Sequence, residues 1–195
     1  MDARSDASAI AATFGAMRCF GDGDPLYELY HDTEWGVPIK DDAALYERLC
    51  LEAFQSGLAW ITILRKREAF RAAFAGFDPA AVAAFTDDDV ARLLADAGIV
   101  RNRAKITAAI DNARAVVALR DSGSSLTELV WAHTPAPRPR PVTHADVPSQ
   151  TPESVALAKA LKAAGFRFIG PTTAYATMQA CGLVDDHLVG CDAVS

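Results

Sequence analysis

Apolar residues recur along this chain at helical spacing, and short breaker clusters cut the pattern into segments. Asp24 and Pro25 open a short helix through Leu26, Tyr27, Leu29 and Tyr30 that ends near His31, before the breaker Trp35-Gly36-Val37-Pro38. Asp41 can cap the next helix, which runs to about Ser56 with Leu45 and Leu49 on its inner face. Gly57 interrupts. A third helix, Trp60 to about Ala75, puts Ile61, Leu64, Phe70 and Phe74 on one side and most of Arg65, Lys66, Arg67 and Arg71 elsewhere. Asp78-Pro79 starts a short helix. Thr86 with Asp89 three residues on forms a capping box for a helix expected to end at Gly98. After a short turn, a further helix spans about Arg103 to Arg120. Residues 133–152 hold six of the ten prolines, so an extended loop is expected there. Thr151-Pro152 opens a helix ending at Gly165, and Gly170-Pro171 opens the last one, closed at Gly182.

Composition agrees with this all-α expectation. Hydrophobic residues make up 51% and charged residues 23% of the 195, the balance of a globular domain. Alanine is abundant, β-branched runs are few, and no internal repeat is present. No apolar stretch approaches the roughly 18 residues a membrane span needs. Residues 1–16 are Ala-rich with early acids, which suits a loosely held tail better than a secretory signal. One domain over residues 17–195, a cytoplasmic location and a monomer are expected. The net charge of −6 argues against nucleic acid in bulk, because phosphate binding wants a basic footprint. Basic residues are clustered, however, at Arg65–Arg71 and at Arg101, Arg103 and Lys105, and one basic face is enough to hold DNA.

Two constellations could carry chemistry. Cys19 and His31 lie twelve residues apart near one end, and His187 and Cys191 four apart near the other. Two thiolates and two imidazoles suit a tetrahedral, structural zinc ion that ties the chain ends together, with His187-to-Cys191 making roughly one helical turn. The plain alternative is that such a pair is coincidental and the cysteines are small buried hydrophobes. A Cys19–Cys191 disulfide is a poorer fit to a cytosolic protein. Cys50 and Cys181 sit in apolar helical patterns and read as core. The second constellation is Glu52, three residues after Leu49 and therefore on its helix's apolar face, with Tyr27, Tyr30, Trp35 and Trp60 in its company. It could be a solvated glutamate beside ordinary core aromatics. It could also be the acceptor in a slot for a flat ring, the arrangement that takes an extruded nucleobase.

The segments DPLYELYHDTEWGVP, LCLEAFQSGLAWITILRKREAFRAAF, DAGIVRNRAKI and GFRFIGPTTAYATMQACGLVDDHLVGC resemble, in order and spacing, the DNA-3-methyladenine glycosylase I family of the helix-hairpin-helix superfamily. The likeness runs from about Met17 to Cys191 and omits only the tail and the Pro-rich loop. It implies a structural zinc on Cys19, His31, His187 and Cys191, and a base-recognising glutamate at Glu52. It also implies an aromatic base pocket from Tyr27, Tyr30 and Trp60 with Trp35 close by. The tip that intrudes into the duplex falls on Gly57 and Leu58, and a hairpin around Gly98, Arg101, Arg103 and Lys105 grips phosphate. One departure stands out. The family often has a tryptophan two residues after the first zinc cysteine; Cys19-Phe20-Gly21 lacks it, and the interval to His31 looks one residue shorter. Phe20 is expected to take over the stacking place.

The resemblance thus implies a base-excision glycosylase acting on duplex DNA, and a monofunctional one is expected, since no lysine can be placed beside the sugar C1′ for a lyase step. Three rivals remain at this level: a non-catalytic DNA-binding module, a zinc hydrolase of small molecules, and a glycosylase with altered base choice. The position of Phe20 bears on the last.

Overall fold

A computed structural model describes residues 17–193, so the tail expected over residues 1–16 lies outside the described residues. Nine α-helices are found there: α1 (Pro25–Thr33), α2 (Asp42–Gln55), α3 (Trp60–Ala73), α4 (Pro79–Ala83), α5 (Asp87–Ala95), α6 (Arg103–Asp121), α7 (Leu126–Trp131), α8 (Pro152–Ala163) and α9 (Pro171–Ala180). Strands are absent among the described residues, as the all-α pattern requires. Caps explain most of the starts. The Asp24, Asp41, Asp78, Asn102 and Thr151 side chains each accept main-chain N–H bonds from the first turn of the helix that follows.

Three details differ from the sequence expectation. The capping box Thr86–Asp89 is present, but α5 ends at Ala95, not Gly98. There the Asp96 carboxylate accepts the Gly98 N–H at 2.7 Å, which turns the chain three residues early. Second, α7 was not expected; its six residues are too few to display a period, yet a Ser125–Glu128 capping box starts it. Asp42 of α2 reinforces that start by accepting from Leu126 N, Thr127 N and Thr127 Oγ1. Third, His187 to Cys191 is not a helical turn. It is a tight turn closed by Cys191 N–H on the Leu188 carbonyl at 2.9 Å, with Gly190 at φ +89°.

The core is built around α6, whose Ile106, Ala109, Ile110, Ala113 and Val116 are buried against α2 and α4. The Phe54, Phe70, Phe74 and Phe77 rings form a continuous run, with successive centroids 4.7, 6.2 and 5.4 Å apart. The Tyr46 hydroxyl, at the same depth, donates to Ala109 O. Helix α9 packs on both α8 and α2, which brings Ala176 and Gln179 opposite Glu52.

The Pro-rich segment is extended apart from a 3-10 turn at His144–Asp146, and it is firmly held. Arg138 bonds the Tyr175 hydroxyl and Asp186, Arg140 bonds Asp185 at 2.7 Å, and Val189 N–H reaches the Pro141 carbonyl at 2.9 Å. This segment therefore braces the stretch that carries His187 and Cys191.

Candidate active site and metal centre

Helix α2 carries Glu52 on its inward face, and the carboxylate sits at the floor of a cavity of about 140 Å³. A space of that order, near 150 Å³, accepts one small aromatic ring. Phe20, Tyr27, Tyr30, Trp35 and Trp60 form its walls, so all the expected aromatics are brought together, Phe20 included. The Phe20 ring lies 4.9 Å from Tyr27 and 5.0 Å from Trp35, centroid to centroid. It lines the cavity despite the missing tryptophan, tilted against Tyr27 and edge-on to Trp35.

Glu52 is 5% exposed, and no side-chain hydrogen bond to its carboxylate is found among the described residues. Burial pushes its carboxyl up to about 7, against the opposing pull of Arg48. Trp60 Nε1 is a buried donor without a partner among the described residues. Unsatisfied polar groups of this kind are costly in a packed interior, and they concentrate where a ligand completes the bonding. Sequence reasoning missed Arg48, Gln55 and Gln179. Arg48 is one helical turn before Glu52, 6% exposed, and donates to the Tyr30 hydroxyl at 2.9 Å. Its guanidinium lies 5.2 Å from the Tyr30 ring centroid and 5.5 Å from that of Trp60. The i,i+4 spacing of an arginine and a glutamate on an apolar face was the available signal. Gln179 had none, because α9 is remote in sequence; its amide donates to Asp186.

Behind Trp35, Cys19, His31, His187 and Cys191 gather with their ligand atoms all within 4.8 Å of one another, and all four residues are buried. His31 Nε2 is 3.4 Å from Cys191 Sγ, and His187 Nδ1 is 3.5 and 3.7 Å from the Cys191 and Cys19 sulfurs. Zinc–sulfur bonds of about 2.3 Å and zinc–nitrogen bonds of about 2.05 Å at tetrahedral angles put S···N edges at about 3.6 Å, so the residues fit the ion. The surroundings fit too. Asp32 Oδ1 lies 2.9 Å from His31 Nδ1, which orients the ring as outer-shell carboxylates do. The Arg18 hydrogen bonds hold the Asp32 carboxyl down at about 2, so it is ionised. Leu188 N–H points at Cys19 Sγ at 3.1 Å. At Gly36, with φ +83°, a Cβ would stand 2.9 Å from His187 Nε2, so the close approach requires glycine. Cys50 and Cys181 are in the core, as expected.

The other expected residues lie on the turn between α2 and α3 and on the hairpin between α5 and α6. Gly57, at φ +84°, turns the chain between α2 and α3, and Leu58 beside it is 41% exposed. The α5–α6 hairpin presents Arg101 and Arg103 to solvent, without ion-pair partners among the described residues, while Ile99 is buried as a plug. Lys105 is placed differently from the expectation. It is buried, and its ammonium donates to the Phe54 and Ser56 carbonyls at 3.0 and 2.7 Å, at the end of the helix that carries Glu52. Lys66 makes the reciprocal tie, from α3 to the hairpin carbonyls of Ala97 and Gly98. The rest of that basic cluster is neutralised: Arg65 pairs with Asp24, Arg67 with Glu34, and Arg71 with Glu47 and Glu68. Of these two basic clusters, the hairpin is therefore the one that leaves positive charge exposed and unpaired among the described residues.

Comparison with known proteins agrees with this geometry. Residues 20–194 match the family model described as methyladenine glycosylase. The chain is 52% identical over 171 residues to DNA-3-methyladenine glycosylase 1 of Escherichia coli strain K12, covering 86% of this chain and 91% of the relative. A solved structure of a 3-methyladenine DNA glycosylase I superposes with a TM-score of 0.88 at 49% identity, over 92% of this chain and all of the other. A Staphylococcus aureus 3-methyladenine DNA glycosylase I, studied for 3-methyladenine recognition, gives 0.86 at 36% identity, covering 92% and 97%. A match over most of the chain in sequence and in fold, on a chain that closes a ring-sized aromatic slot over a buried carboxylate, makes this protein a member of the methyladenine glycosylase family.

Proposed function

We propose that this chain excises 3-methyladenine from DNA by hydrolysing the N-glycosidic bond, as a monofunctional repair glycosylase acting as a monomer through one domain over residues 17–195. The observation that carries the reading is the buried Glu52 carboxylate at the floor of the aromatic slot. N3 methylation leaves the base cationic in DNA and its glycosidic bond weak. A poorly paired base swings out of the duplex, and Leu58 fills the space it leaves. Phe20, Tyr27, Tyr30, Trp35 and Trp60 surround the flat cation, and each good cation–π contact contributes about 0.5–2 kcal/mol. Glu52 as carboxylate accepts from the adenine edge and stabilises positive charge in the transition state. The base leaves with the bonding electron pair as neutral 3-methyladenine. Water adds to C1′ and releases a proton to solvent, leaving an abasic site. Glu52 needs no proton to give.

A pH profile of 3-methyladenine release tests this assignment. The free enzyme's carboxyl titrates at about 7, so kcat/KM should rise with pH and level off above that value. The bound cation favours the carboxylate, so the corresponding limb of kcat should lie at lower pH. A flat profile for both, or one falling through pH 7, would contradict an ionised Glu52.

Cys19, His31, His187 and Cys191 are proposed to hold zinc, with a filled coordination shell and a purely structural task. The ion would fasten the segments that carry Phe20 and Trp35 to the chain's other end.

Phosphate binding is assigned to Arg101, Arg103 and the hairpin main chain around Gly98, and Lys105 acts within the fold by fastening the hairpin to the Ser56–Leu58 tip. Lys105→Met should reduce single-turnover excision from duplex about tenfold, with the slope of log affinity against log salt unchanged, because a buried ammonium releases no counterion. A slope lower by about one would instead mean that Lys105 touches phosphate.

A further inference from the structure

The loop between α8 and α9 is built against its own conformational preference. Phe168 stands at φ +62°, a left-handed conformation that bulky side chains avoid, and its ring is nonetheless 46% exposed. The fold holds it there deliberately. Asn112, fully buried in α6, spends both ends of its amide on the preceding residue: Oδ1 accepts from Arg167 N at 2.6 Å and Nδ2 donates to Arg167 O at 3.2 Å. Phe166 is anchored in the core on one side, and Ile169 packs against it on the other. The result is an exposed aromatic next to an exposed Arg167 that has no ion-pair partner among the described residues. Neither contributes to the core, and retained backbone strain with an exposed large apolar group marks an interaction site.

Its position says what the partner is. The Lys105 ammonium that binds the Ser56 carbonyl also lies 5.9 Å from the Phe168 ring centroid. The loop is thereby contiguous with the Gly57–Leu58 tip and with the hairpin. An aromatic face beside a free guanidinium, continuous with those elements, is a platform for one nucleotide of an opened strand: the ring stacks and the cation meets phosphate. We propose that Phe168 and Arg167 form a second DNA contact, gripping the strand next to the extruded nucleotide while Leu58 occupies the gap. This rests on the glycosylase reading above.

Phe168→Gly, Phe168→Trp and Arg167→Ala in the full chain decide the matter, each assayed for single-turnover excision from duplex DNA, for affinity for free 3-methyladenine, and for Tm. Phe168→Gly accepts the positive φ without strain, so its Tm should hold or rise and its free-base affinity should stay within about twofold of the unaltered protein. Its duplex excision should fall about tenfold at subsaturating enzyme, while Phe168→Trp keeps activity within about threefold. Arg167→Ala should lower the salt slope of DNA binding by about one. If Phe168→Gly excises as well as the unaltered protein, or loses free-base affinity in proportion to excision, the platform does not exist. If the unaltered protein releases no 3-methyladenine, it is the glycosylase reading that fails, and the free-base binding data show which of the two has gone.

Discussion

Glu52→Gln should cut single-turnover release of 3-methyladenine at pH 8 by about 100-fold, a loss of about 2.7 kcal/mol in transition-state stabilisation, and should make the folded protein more stable at that pH. The first half follows from the site: among the described residues the carboxylate is the one anionic group lining the aromatic slot, and glutamine keeps its shape without its charge. The second half follows from linkage. The Glu52 carboxyl titrates at about 7 in the fold against 4.5 in an unperturbed glutamate, so the folded chain holds a proton that the unfolded chain has lost between those values. Stability from this group is complete below about pH 4.5 and declines as pH rises, until it is gone above about 7. At 1.36 kcal/mol per pH unit, the ionised carboxylate costs on the order of 3 kcal/mol at pH 8. Removing that charge should raise Tm by roughly 5–10 °C at pH 8 and by little at pH 4. A variant that retains more than a tenth of the activity would deny Glu52 a central role. One that gains no stability at alkaline pH would mean the carboxylate is not buried in ionised form.

The second large effect concerns the metal centre. If the cluster holds zinc as proposed, stripping the ion with a chelator, or Cys191→Ser, should lower Tm by about 10–20 °C and abolish excision together with it. Cys19 and Cys191 stand at opposite ends of the described chain, and a crosslink closing a loop of a hundred residues or more contributes about 5 kcal/mol in the chain-entropy picture. For a domain of this size each kcal/mol moves Tm by about 2–4 °C, and total stability is only about 5–15 kcal/mol. The loss would be felt at the pocket first, because Phe20 follows Cys19 directly and Trp35 packs 4.6 Å from the His187 ring. Metal analysis should give one zinc per chain, and cobalt substitution should produce the thiolate charge-transfer bands of a tetrahedral site. Metal-free protein with an unchanged Tm, or cobalt spectra without thiolate ligation, would refute the assignment.

Much of this architecture was legible because the chain writes its helix starts in caps. Asp24-Pro25, Asp41, Asp78-Pro79, Asn102 and Thr151-Pro152 each begin a helix with a side chain that takes an orphan N–H. Ends were harder. At Asp96 a single side-chain bond to Gly98 stops α5 early, and such a bond leaves no periodic trace. The position of Glu52 on an apolar face was readable from its spacing to Leu49, whereas the depth of its burial depends on α9 arriving from the far end of the chain. The basic cluster on α3 misled for the same reason. Asp24, Glu34 and Glu47 neutralise it from three other places, and only packing reveals those pairs. Lys105 showed a charge in sequence and turned out to be a buried tie, since a lysine on a hairpin looks the same whether it faces phosphate or two carbonyls.

The central claim, that this pocket and its carboxylate release 3-methyladenine, is tested most directly by chromatography of the free bases liberated from methylated DNA at pH 8. Zinc-loaded protein and its Glu52→Gln variant, both shown to be folded, would be compared on the same substrate. The account expects a 3-methyladenine peak from the first, with abasic sites left in the DNA, and a peak reduced about 100-fold from the second. No 3-methyladenine from the unaltered protein, a different base as its main product, or equal release by both would contradict it.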